Sequence, residues 1–252
     1  AVGSHKSKLK LFLQNEVITN PLHLDLEWLE KQRTALKNDQ ITLYVGYASA
    51  IQHFTEYCKK KNDDPSDFDL KGIISIAENL DERVRQDAES VFGCPVLSRY
   101  ASLETGVLSQ ECQEEKNHHV NISSYAIELL SFDSDDPVNP GELGRVVVTD
   151  LFSYGMPLIR YDIGDIAMKA ETNCSCGIDG PIFKKIRGRI TDNVLDEDGN
   201  LVSWAAINVI IWPYKEIKEF RFIQTDRFKF ELLLSTYDRT RVDEEIIKKF
   251  KD

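Results

Sequence analysis

Two short segments of the chain end in ionisable side chains that follow a glycine. In Leu158-Ile-Arg-Tyr-Asp-Ile-Gly-Asp165, Ile159, Tyr161 and Ile163 alternate with Arg160 and Asp162, the period of a half-buried strand. Gly164 is expected to turn the backbone at the strand's end and present the Asp165 carboxylate. Further along, Arg187-Gly-Arg-Ile-Thr-Asp192 does the same for the Arg189 guanidinium. A carboxylate accepts two hydrogen bonds from a ribose diol, and a guanidinium fork binds phosphate oxygens. The pair therefore suits a ligand carrying both hydroxyls and phosphate. Taken alone, Asp165 reads equally well as a turn residue, and Arg189 as the partner of a surface carboxylate.

A second constellation is metal-like. Cys112 is followed by His118 and His119, and later by Cys174-Ser-Cys176-Gly. Thiolate and imidazole are preferred zinc ligands, and four of them close a structural site. The Cys-x-Cys spacing is tighter than the usual Cys-x2-Cys, and the competing reading is a set of free surface thiols. The chain has 5 cysteines, an odd count that does not suggest a disulfide framework in a chain of this length. Cys58 falls on the apolar face of an expected helix with Ile51 and Phe54, and Cys94 precedes Pro95 at a strand start. Both read as small buried hydrophobes. His5, His23 and His53 have no partners in sequence.

The elements that must position these residues change character along the chain. Helical spacing covers Leu24 to Lys37, with Leu26, Leu29, Arg33 and Leu36 on one side, and again Ala48 to Lys61. A third helix runs from Asp81 to Phe92, with Gly93 as its C-terminal stop. Short apolar strands at Ile41 to Val45, Gly72 to Ala77 and Val96 to Tyr100 alternate with them, and Asp63 to Asp67 reads as a loop. This alternation indicates an α/β layer with a parallel sheet, residues 1–110.

After Glu111 helical spacing disappears. Tyr125 to Phe132, Gly144 to Leu151, Leu158 to Ile163 and Ile182 to Ile186 read as strands of a β-rich subdomain, 111–189. The remainder, 190–252, reads as the start of a small α+β C-terminal domain. It has a hairpin over Asn193 to Val202 turning at Asp198-Gly199, a helix over Ala205 to Trp212, strands at Phe220 to Thr225 and Lys229 to Ser235, and a helix from Val242 to Phe250.

Composition narrows the function. The 252 residues carry a net charge of −11 and are 42% hydrophobic. An acidic total argues against nucleic acid as a partner, because phosphate-backbone binding needs a basic surface. No apolar run is long enough to span a membrane. The N-terminus is polar and Lys-rich without a signal-peptide core, so a soluble cytoplasmic protein is expected.

Read together, the motifs resemble those of the adenylate-forming enzymes: acyl-CoA synthetases, luciferases and peptide-synthetase adenylation domains. Arg99-Tyr-Ala-Ser-Leu-Glu104-Thr-Gly is similar to their Tyr-Gly-x-Thr-Glu motif. The Asp165 and Arg189 segments are similar to Tyr-x-x-Gly-Asp and Gly-Arg-x-x-Asp. Gly46-Tyr-Ala-Ser-Ala50, Ser75-Ile-Ala-Glu-Asn-Leu80, Val148-Thr-Asp-Leu151, Met156-Pro-Leu-Ile-Arg-Tyr161 and Cys174-Ser-Cys-Gly177 resemble the branch of phenylacetate–CoA ligase and the CapK-like proteins of capsular polysaccharide biosynthesis.

The resemblance implies ATP-dependent activation of a carboxylate as an acyl-adenylate, then transfer to CoA or another acceptor. By it, Tyr100 stacks on adenine, Glu104 holds Mg²⁺, Asp165 holds the ribose hydroxyls, and Arg189 contacts ribose or phosphate near a hinge. The Ser75 to Glu78 segment lines the adenine pocket, giving Glu78 a nucleotide-binding place. The spacing in relatives selects His119 over His118, so the implied zinc set is Cys112, His119, Cys174 and Cys176.

The chain also departs from the pattern. Leu103 stands where the motif has Thr, leaving Ser102 to supply a hydroxyl, and Ala101 replaces Gly. Thr191 and Asp192 compete for the hinge position. No Ser/Thr/Gly-rich phosphate loop precedes Tyr100, and the resemblance places the catalytic Lys of the small domain beyond Asp252. An incomplete chain, unable to form acyl-adenylate by itself, is therefore expected. The rival readings are a binding module that keeps the fold without the chemistry and, more distantly, a nucleotide-sugar enzyme.

Overall fold

The computed structural model describes residues 11, 16–19, 25–38, 41–189, 193–195, 201–203 and 217–236. Thr191, Asp192, the Asp198-Gly199 turn and the helices expected over 205–212 and 242–250 lie outside the described residues. The chain divides into two compact units, Ala1–Arg99 and Tyr100–Asp252.

The first unit is an α/β layer, as expected. Strands β1 (Leu43–Tyr47), β2 (Gly72–Ile76) and β3 (Val96–Ser102) pair in parallel, with β2 central. Helix α1 (Leu26–Asn38) precedes β1, α2 (Ala48–Lys60) joins β1 to β2, and α3 (Glu82–Phe92) joins β2 to β3. Asp81 caps α3 by accepting the Arg83 N–H at 2.8 Å. Gly93 ends it at φ 65°, its N–H returning to the Glu89 carbonyl.

Phe54 of α2, Phe92 of α3 and Phe68 meet in the core, with centroids 5.5 Å and 5.0 Å apart. Cys58 and Cys94 are buried there, as expected, and burial pushes their thiols up to about 12 and about 11. Leu26 is exposed, because α1 turns Leu29, Gln32 and Leu36 inward instead. Arg33 of α1 reaches Asp63 at 2.6 Å, and Lys37 reaches both Asp63 and Asp67. The expected 63–67 loop is tightened into a 3-10 turn, Pro65–Asp67, with Asp64 at its cap.

The second unit begins inside β3 and is antiparallel. Strands β4 (Gly106–Glu111), β5 (His118–Val120), β6 (Tyr125–Leu130), β7 (Leu143–Asp150), β8 (Tyr161–Lys169) and β9 (Ile182–Arg189) pair in the order β4-β5-β9-β8-β7-β6. Leu108, Leu129, Val146, Val148, Ala167 and Phe183 form its core, with Tyr100 and Ile163 packed against them. The hairpin expected at 193–202 is present as β10 (Asn193–Leu195) paired with β11 (Leu201–Ser203). Strands β12 (Ile217–Asp226) and β13 (Lys229–Thr236) form another.

One expectation is corrected. The strand around Asp165 does not run from Leu158 to Ile163 and stop at a turn; β8 starts at Tyr161 and continues to Lys169. Gly164 takes φ 80° inside it. Against β7, Asp162 pairs with Val147 but Ile166 pairs with Arg145, so β8 carries extra residues around Gly164. The glycine makes a bulge rather than an end, and a bulge re-aims the side chains beside it.

Candidate nucleotide and metal sites

Three of the motif residues converge through two bulged strands and the end of a third. Asp165 leaves the β8 bulge directly opposite Arg189 of β9. β9 has its own irregularity: Ile186 pairs with Ala167 and Gly188 with Ile166, which makes Arg187 the extra residue, and Gly188 sits at φ 77°. Tyr100, at the end of β3 and 65 residues from Asp165 in sequence, donates its hydroxyl to Asp165 Oδ2 at 2.6 Å.

Burial first, then the charge and hydrogen bond of Asp165, raise the Tyr100 phenol well above its ordinary range. It therefore stays protonated and acts as a donor. Arg189 is exposed, and its charge reaches both Tyr100 and Glu104.

Glu104 lies in the turn between β3 and β4. Its own backbone N–H, then the Ser102 hydroxyl and the Arg189 charge, hold its carboxyl below the usual range, so it is an anion at neutral pH. An exposed carboxylate can serve as an oxygen ligand for a hard cation such as Mg²⁺. Leu103 is 96% exposed and carries no hydroxyl. Thr105, which sequence reasoning passed over, is buried with its Oγ1 3.0 Å from Ser102 Oγ. The hydroxyl pair sits one residue either side of Leu103-Glu104. A shift of the Thr by two positions was the signal available in the sequence.

Glu78 belongs to the first unit. Its carboxylate accepts the Ser49 N–H at 2.7 Å and the Ser49 hydroxyl at 3.0 Å, which caps the start of α2. Just before it, Ala77 is held at φ 63°, with the Glu78 N–H on the Ile76 carbonyl. This tight left-handed turn is uncommon for a non-glycine residue.

The metal-like residues also assemble. Cys112 follows β4, His119 is in β5, and Cys174 and Cys176 lie between β8 and β9. Their ligand atoms all fall within 4.8 Å of one another. Cys112 Sγ is 3.4 Å from Cys174 Sγ, and Cys176 Sγ is 3.3 Å from His119 Nε2. Those two separations are a few tenths of an ångström shorter than the edges, about 3.8 Å and about 3.5 Å, of a tetrahedron with metal–sulfur bonds of about 2.3 Å and metal–nitrogen bonds of about 2.0 Å.

Burial would raise the Cys112 thiol. The Glu115 N–H, Cys174, His119 and the Asn117 backbone outweigh it and hold the group at about 6. His118 is buried and turned instead towards Ser109, 3.3 Å away. Arg187, not singled out by sequence reasoning, has a buried Nε without a hydrogen-bond partner.

No family model matches the chain. The Staphylococcus aureus protein CapK is 26% identical over 228 residues, covering 88% of this chain and 49% of CapK. A phenylacetate-coenzyme A ligase from Thermus thermophilus is 30% identical over 173 residues, covering 67% of this chain and 38% of the ligase. Among solved structures, 2-hydroxyisobutyryl-CoA ligase in the postadenylation state with 2-HIB-AMP aligns with a TM-score of 0.66 at 17% identity, covering 90% of this chain and 50% of that one. The fold is that of the CoA ligases, and the chain belongs to the adenylate-forming superfamily. It spans about half the length, or less, of the curated relatives it matches.

Proposed function

We propose that the chain takes part in ATP-dependent carboxylate activation, forming an acyl-adenylate that is passed to CoA or another acceptor. The observation that carries this reading is the Tyr100–Asp165 hydrogen bond at 2.6 Å with Arg189 opposite. It gathers an aromatic, a carboxylate and a guanidinium from three separate strands.

In this reading the Tyr100 donor fixes the Asp165 carboxylate so that it accepts the ribose hydroxyls. Arg189 meets the growing negative charge on phosphate oxygens, where a preoriented cation lowers the barrier most. Glu104 would hold Mg²⁺, which supplies charge neutralisation on the phosphates. The Glu78 carboxylate is used on Ser49 within the first unit.

Cys112, His119, Cys174 and Cys176 would hold a structural Zn²⁺, a closed set with no position left for substrate. The acidic charge supports a cytoplasmic location, and no described helix is long and apolar enough to cross a membrane. A place in capsular polysaccharide biosynthesis rests on the likeness to CapK alone.

One observation favours the non-catalytic alternative. Leu103 stands exposed where the motif's Thr would face the α-phosphate, and the hydroxyls flanking it bond to each other. Carboxylate-dependent ATP–pyrophosphate exchange separates the two readings, measured on this chain and on any longer reading frame that contains it. Exchange in the longer frame, lost in Asp165→Ala and Arg189→Ala, supports activation. Nucleotide binding with no exchange in either supports the module.

A further inference from the structure

The ligands proposed for zinc come from the β4–β5 hairpin and from the turn between β8 and β9. β5 pairs with β9 through His118–Phe183 and His119–Ile182, which fixes the strands. The Cys174–Cys176 turn, however, lies several residues before Ile182 and needs its own tether. Glu115 supplies it. Its Oε1 accepts the N–H of Ser175, the residue between the two cysteines, at 2.8 Å. Its Oε2 accepts Asn117 Nδ2 at 2.9 Å, and Asn117 is 2% exposed, a fixed anchor on the hairpin. The Glu115 N–H also points at Cys112 Sγ, 3.5 Å away.

A metal-bound imidazole ordinarily donates its second N–H to a carboxylate or carbonyl. Here His119 Nδ1 is buried with no partner. The outer carboxylate serves the cysteine turn instead.

We infer that Glu115 is a positioning residue for the metal site: a carboxylate clamp that closes the Cys174–Cys176 turn onto the Cys112–His119 hairpin before the ion binds. This rests on the zinc reading. Without the clamp the turn must be ordered at the expense of binding free energy, so affinity falls while the ligand set stays the same.

The test is Zn²⁺ affinity by competition with a chromophoric chelator, using the full chain and its Glu115→Ala and Glu115→Gln variants. Loss of an outer-sphere partner typically weakens a site by about 10–100-fold, and Glu115→Ala should do so. Glu115→Gln should lose less, because its carbonyl still accepts the Ser175 N–H while its amide faces the Asn117 donor. The Co²⁺-substituted spectrum should be the same in all three, and Ser175 amide exchange in the zinc-free chain should speed up in Glu115→Ala.

Equal zinc affinity in Glu115→Ala and the unsubstituted chain would overturn the clamp and leave the metal reading standing. A changed Co²⁺ spectrum would overturn the positioning role. An unsubstituted chain that binds no zinc would overturn the metal reading, and the clamp with it.

Discussion

A carboxylate anchors each unit, and the two are used differently. In the first unit Asp63 is 2% exposed at its side chain and is held by Arg33 and Lys37 at 2.6 Å each. Two cations on one anion make a tie between α1 and the turn after α2. In the second unit the Asp165 carboxylate takes a neutral phenol donor from Tyr100 and stands beside a bulge, opposite an exposed guanidinium. The first arrangement neutralises its anion inside the protein. The second sets its anion at an irregular, half-buried place in a bulged strand. Regular parallel strands and helices carry the structural ties; Asp165 and Arg189, proposed for nucleotide, sit on bulged antiparallel strands.

The largest expected effect sharpens the structural side of this contrast. Phe54 is fully buried and stacks on Phe92, so Phe54→Ala should cost about 3–5 kcal/mol of stability by urea titration. Cys174→Ser tests the other unit: zinc content after chelator-free purification should drop from about one per chain to a small fraction, because a closed four-ligand site loses a thiolate.

Asp63→Asn should cost about 1.5–3 kcal/mol, the range for hydrogen bonds to charged groups, and leave nucleotide binding untouched. The Arg33 hydrogen bond, outweighing burial, and the Lys37 contact lower the Asp63 carboxyl from 3.8 to about 2. A group whose pKa falls on folding contributes fully above its unfolded value. Its contribution should therefore be lost as pH drops from about 4 towards about 2, and the Asp63→Asn variant should lack that part of the acid dependence.

Much of the first unit was legible because its signals are local. Asp81 and Gly93 bracket α3 as a cap and a stop should, and Ile51, Phe54 and Cys58 keep helical spacing on a buried face. In the second unit β4 and β5 were not visible. β4 buries Ser109 and Glu111 beside Leu108, so its polar residues hide the alternation that marks a strand. At Gly164 the sequence is ambiguous, because glycine in a strand signals either a turn or a bulge, and only the β7 register distinguishes them.

The resemblance named the four residues that cluster as Cys112, His119, Cys174 and Cys176. How the candidate site residues are held could not be read from it: the Tyr100–Asp165 bond and the Glu115–Ser175 tether join positions 65 and 60 residues apart. Neither leaves a trace in local sequence.

The central claim is that Asp165 serves a ligand and Asp63 serves the fold. Calorimetric titration of the full chain with AMP, beside Asp165→Ala, tests it most directly. The account predicts AMP binding at millimolar concentrations or below, weakened by roughly 5–150-fold in Asp165→Ala, the equivalent of losing about 1–3 kcal/mol. The variant should remain folded under the titration conditions, with a urea midpoint lowered by no more than the loss of the Tyr100 hydrogen bond, about 1–3 kcal/mol. No heat of binding at millimolar AMP, or an Asp165→Ala variant that binds AMP as well as the unsubstituted chain, would contradict it.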